Sequence, residues 1–177
     1  MKSVKKETLI KASKDLYYEV THLIGLFLYL NQKENNDIKR HTFLESLLIH
    51  ARNVYCFLYN EYNKNQKDDV LALYYIKNVD EWITFKKTQI PKDVFIDFTK
   101  RINKEIAHLS FTRTQKTEQD KWDISFVIDL VEGVDKFLNM TPSSLLDKDW
   151  ENYQSVKDQI YLNKENFLFS KWVYSTH

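Results

Sequence analysis

Apolar residues recur at three-, four- and seven-residue steps from about Lys6 to Gln32, through Leu9, Leu16, Val20, Leu23, Phe27 and Leu30. That period belongs to one buried face of a helix. The polar run "NQKENND" breaks it, and a second stripe follows in "FLESLLIHARNVYCFLYNEY". This second helix should start near Asp37 or Thr42 and turn Leu44, Leu47, Leu48, Ala51, Val54, Tyr55 and Leu58 inward. Two stripes joined by so short a break predict an antiparallel hairpin.

Beyond the polar linker "NKNQKDD", the segment "VLALYYIKNVDEWITFKKTQI" settles on neither the helix nor the strand period. An irregular connection with short helical turns is expected there. Pro91 suits the first turn of a third helix through "KDVFIDFTKRINKEIAHLSF", with Phe95, Phe98, Ile102, Ile106 and Leu109 inward. A fourth helix is expected over "EQDKWDISFVIDLVEGVDKFLNM", whose apolar positions spread widely enough to predict burial on more than one side. In "TPSS" a threonine able to cap precedes a proline able to start a helix, and Leu146, Trp150, Tyr153, Val156 and Ile160 continue at helical spacing. The closing "NFLFSKWVYSTH" alternates like a short strand or a docked tail. Its aromatic residues predict packing on the bundle or on a partner subunit.

The expected fold is therefore all-α, a bundle of four to five helices with an irregular segment between the second and third. Residues 1–141 form the bundle, and residues 142–177 add a C-terminal helix and an aromatic tail packed on the same domain or on a dimer mate. Composition agrees, because 2 Gly and 2 Pro in 177 residues are too few for the turns of an all-β domain. Charge narrows function less. With 26 Lys and Arg against 25 Asp and Glu, no global field draws the chain to nucleic acid, so any polyanion site must be a local patch. Cys56 is the only cysteine, which excludes an internal disulfide and a cysteine-based zinc cage and fits a reducing compartment. The longest apolar stretch, Leu23 to Leu30, is far short of the roughly 20 residues of a membrane span, so a cytoplasmic protein with no membrane partner is expected.

Candidate chemistry concentrates in "RINKEIAHLS". With Ile102 inward, an advance of about 100° per residue places Arg101 and His108 about 20° apart on one flank, separated by about 10 Å along the axis. Glu105 lies between them, Asn103 falls on the opposite flank, and Lys104 is more exposed. A guanidinium can hold a nonbridging phosphate oxygen while an imidazole takes or gives a proton, which is the chemistry of metal-independent RNA cleavage. The same residues also read as an exposed ion pair beside a histidine at the core edge. A second polar group lies in "HARN", where His50 and Asn53 share one flank and Arg52 and Glu45 the other. These side chains can approach Asn103 or His108 from a neighbouring helix. His41 and Glu45 could touch one metal, but no third ligand has a recognisable spacing, and neither metal nor cofactor is expected. Glycine-rich phosphate loops and nucleophile turns are absent.

Taken in order, "FLESLLIHARNVYCFLY", "DDVLALYY" and "RINKEIAHLSFTR" resemble a group of small prokaryotic proteins related to the HEPN superfamily, the higher eukaryotes and prokaryotes nucleotide-binding domains. The resemblance spans roughly Phe43 to Arg113. It implies a helical bundle that dimerises and, in many members, a metal-independent ribonuclease of toxin–antitoxin, abortive-infection or other phage-defence systems. The superfamily signature is an Arg followed after four to six residues by His, which Arg101 and His108 meet with six residues between them. Many active members carry a polar residue directly after the Arg, where this chain has Ile102. The resemblance thus implies a homodimer acting on RNA, with Arg101 and His108 catalytic, Asn103, Lys104 or Arg113 holding phosphate, and a cognate antitoxin as partner. Some branches of the superfamily are non-catalytic interaction or RNA-binding modules, and that alternative applies here too.

Overall fold

The computed structural model describes residues 4–32, 37–61, 68–89, 99–102 and 122–162. All regular structure among the described residues is helical. Helix α1 (Lys6–Leu30) and helix α2 (Asp37–Tyr59) form the expected hairpin. Cross-pairs fix its antiparallel sense: Tyr29 packs edge-on against Phe43 at 4.4 Å, while Glu19 reaches His50 at 2.7 Å. All six apolar positions of the first stripe are buried, joined by Ser13 and Ile24. Leu44, Leu47, Leu48, Ala51, Val54 and Leu58 of the second stripe are buried as well. Tyr55 is half-buried instead and stacks on Tyr59 at 5.0 Å.

The segment expected to be irregular is only partly so. A single 3-10 turn, Ala72–Tyr74, leads into an eleven-residue helix α3 (Val79–Gln89). Asn78 and Glu81 start it as a reciprocal cap: the Glu81 N–H donates to Asn78 Oδ1, and Asn78 Nδ2 donates back to the Glu81 carboxylate, both at 3.2 Å. Acidic residues in its first turn and Lys86 and Lys87 in its last complement the helix dipole. These local signals outweigh the unfavourable β-branched composition.

Residues 99–102 are helical with Ile102 fully buried, in agreement with its expected inward position. The rest of the third expected helix lies outside the described residues. Helix α4 is Phe126–Met140; residues 122–125 of the expected helix are not helical, and its residues 118–121 lie outside the described residues. Ahead of it, Trp122 and Ile124 are buried and Asp123 exposed, an extended alternation, and Asp123 accepts the Ser125 N–H at 2.9 Å. This side-chain turn holds the lead-in out of the helix. Val127, Leu130, Val131, Gly133, Val134 and Phe137 form a broad buried face of α4, and Phe126, Ile128, Leu138 and Met140 on its flanks are half-buried against the core.

Thr141 does not open the next helix as expected; it ends α4, its N–H donating to Leu138 O. Two 3-10 turns follow, Ser143–Leu145 and Lys148–Asn152, before helix α5 (Tyr153–Leu162). A small polar knot ties this region to α1. The buried Ser13 hydroxyl donates to Ile10 O at 2.8 Å and accepts the Asp147 N–H at 2.7 Å, while Trp150 Nε1 donates to Ser13 O at 2.9 Å. Tyr17 packs edge-on against Trp150 at 5.3 Å and completes the contact. The aromatic tail lies outside the described residues.

Candidate functional site

Arg101 sits half-buried on its short helical stretch, its guanidinium carbon 3.9 Å from the ring centre of the buried Trp122. Stacking of this kind fixes the plane of the guanidinium and directs its N–H groups within that plane. Asn103, Lys104, Glu105, His108 and Arg113 lie outside the described residues.

The "HARN" segment divides between two places. Arg52 and Asn53 line a surface cleft of about 500 Å³ together with Cys56 and Phe57 of α2, Asn60 just beyond its end, Asp69, Val70 and Leu71 of the connection, and Thr99. Arg52 and Asn53 were expected on opposite flanks. The cleft lies over the outer face between those flanks, where residues 52, 53, 56 and 60 all fall, so it receives both. Thr99 stands two residues before Arg101 in the chain. Burial pushes the Cys56 thiol up and Asp69 adds to the shift, against the opposing effects of Arg52 and the Asn60 hydrogen bond. The thiol therefore stays protonated. Burial likewise pushes the neighbouring Tyr55 phenol up to about 12.

His50 faces the other way, into the seam with α1. Its Nδ1 is 2.7 Å from Glu19 Oε2, so the ring donates Nδ1–H to the carboxylate. The side chains of His50 and Glu19 are 12% and 24% exposed, which makes this a partly buried pair. Burial alone would raise the Glu19 pKa. Hydrogen bonds from His50 and Asn53, with the charges of His50 and His22, outweigh it and hold the carboxyl below its usual value of 4.5. Asn53 thus joins the cleft to the seam. His22 lies beside His50 with ring centres 5.3 Å apart, and Tyr18 covers His22 at 3.9 Å. The His22 Nδ1 donates to Tyr18 O at 2.9 Å.

Glu19, His22 and Tyr18 were not singled out from the sequence. Glu19 and His22 stand three apart on one flank of α1, and the hairpin register brings that flank to His50. With both Nδ1 atoms donating, each ring presents Nε2, able to accept a proton or bind a cation. Among the described residues, no group of three or more His, Cys, Asp and Glu converges on one point. No helix among them is long and apolar enough to cross a membrane. Comparison with family models, curated proteins and solved structures finds no match for the chain.

Proposed function

We propose that this chain is a HEPN-like helical-bundle protein that cleaves RNA without a metal ion and works as a homodimer in a toxin–antitoxin or phage-defence setting. The observation that carries the reading is the shared cleft: Thr99, on the helical turn of Arg101, meets Arg52 and Asn53 of α2 around one cavity of about 500 Å³. The resemblance over Phe43 to Arg113 supports it from the sequence side. In this reading Arg101 holds a nonbridging oxygen of the scissile phosphate as negative charge grows. His108 of one subunit takes the proton of the 2′-hydroxyl, whose oxygen attacks phosphorus. The P–O5′ bond breaks, and His108 of the second subunit protonates the leaving 5′-oxygen. Arg52 and Asn53 steady the flanking phosphate or base.

A second reading, a non-catalytic interaction or RNA-binding module, is favoured by the Arg101–Trp122 stack, since a guanidinium packed on a buried indole also serves the fold. Incubating the purified chain with mixed RNA in the presence of a chelator separates the two. The nuclease reading expects cleavage that survives the chelator and falls at least about 100-fold in His108→Ala, the usual size of a general acid–base contribution. Undiminished cleavage by that variant sinks the assignment of His108. RNA retention without cleavage by the unaltered chain selects the second reading.

A further inference from the structure

We propose that His22 and His50 form a two-histidine binding site for a borderline divalent transition-metal ion, of the class of Zn2+, Ni2+ or Cu2+, separate from the cleft of Arg52. Three observations carry it. Both imidazoles have their Nδ1 engaged as a donor, His50 to the Glu19 carboxylate and His22 to the Tyr18 carbonyl. A carboxylate or backbone carbonyl on the far ring nitrogen is the outer support that metal-ligating histidines characteristically have, because it fixes the tautomer and raises the basicity of the other nitrogen. Each ring is thereby set to offer Nε2, which has no hydrogen-bond partner among the described residues.

The spacing fits as well. A zinc–nitrogen bond of about 2.0–2.1 Å puts a ligating ring centre about 3.2 Å from the metal, and a tetrahedral angle separates two such centres by about 5.2 Å. The His22 and His50 ring centres are 5.3 Å apart, with their planes tilted by 35°. The site is also accessible and rigidly mounted. His22 is exposed, and the His50 side chain beside it is 12% exposed. The rings stand on two packed helices, and Tyr18 against His22 limits rotation of the outer one. Imidazole nitrogen suits Zn2+, Ni2+ and Cu2+ and disfavours Mg2+ and Ca2+, which take oxygen ligands. Two protein nitrogens leave the remaining positions to water or to an exchangeable ligand.

The test is calorimetric titration of zinc chloride into the metal-free full chain, at a pH about one unit above the ordinary imidazole value of about 6.5. One site per chain is expected. Glu19→Gln keeps an acceptor for the His50 ring but loses the charge, and should weaken binding by about 10–100-fold. His22→Ala should weaken it more, while its metal-free melting curve stays that of the parent because the side chain is exposed. Copper bound to the parent chain should show magnetic splitting from two imidazole nitrogens, reduced to one in His22→Ala. Zinc affinity and copper spectrum unchanged in His22→Ala, or no zinc binding by the parent chain, would overturn the proposal.

Discussion

Replacing Gly133 with alanine sets two effects of known size against each other. The residue lies inside α4, where alanine in place of glycine ordinarily stabilises a helix by about 1 kcal/mol. Here a Cβ would overlap the Tyr59 hydroxyl and come within 3.0 Å of Leu58 Cδ1 and 3.3 Å of Tyr59 Cζ. Tyr59 is buried and its ring is stacked on Tyr55, so it cannot swing aside at little cost. Overpacking of a well-filled core costs about 1–3 kcal/mol, which leaves a net loss of about 1 kcal/mol after the propensity gain. For a chain of this length that is a fall of about 2–4 °C in Tm. Urea denaturation of the parent chain, Gly133→Ala, Tyr59→Phe and the double variant measures it. Removing the hydroxyl takes away the worst overlap, so alanine should be neutral or stabilising in the Tyr59→Phe background, with a coupling of about 1–2 kcal/mol. A Gly133→Ala chain more stable than the parent, or an equal effect of alanine in both backgrounds, would refute the close approach of α2 to α4.

Two further outcomes follow from groups already placed. Ser13→Ala removes the acceptor of the Asp147 N–H and should cost about 1–3 kcal/mol in denaturant unfolding, with faster amide exchange concentrated around residues 147–152. The folded Glu19 carboxyl titrates below its ordinary 4.5, so its ionised form stabilises the fold above pH 4.5 and that contribution is lost as pH falls through the lower, folded value. Glu19→Gln should therefore lose stability at neutral pH and converge with the parent chain in acid; a constant difference between the two across that range would show that the carboxylate is not the group responsible.

The hairpin was legible because its stripes are long and strongly periodic, and a helix of twenty-odd residues averages out local exceptions such as Gly25. Helix α3 was not, because its composition argues against a helix and the deciding signal is a cap of two residues, Asn78 and Glu81. The late start of α4 has the same origin: Asp123 captures the Ser125 N–H, a local bond that no periodicity records. The candidate sites divide likewise. Spacing along one helix could single out Arg52 and Asn53, but that both border a cleft depends on the connection through Asp69 to Leu71, which lines its other side. Glu19 and His22 were invisible for a stricter reason. Their significance exists only across the seam, and a pairing 31 residues apart in the chain needs the register of two helices, not the pattern of one.

The polar knot at Ser13 has a consequence in time as well as in space. Its hydroxyl, carbonyl and partners Asp147 and Trp150 lie 134 and 137 residues apart in the chain. At synthesis rates of about 5–20 residues per second, Ser13 leaves the ribosome roughly 7–27 seconds before Trp150. The α1–α2 hairpin can close within that interval, since its contacts are local, yet the Ser13 edge of α1 stays uncovered until the indole arrives. During translation the nascent chain thus carries Ser13 without its Asp147 and Trp150 partners.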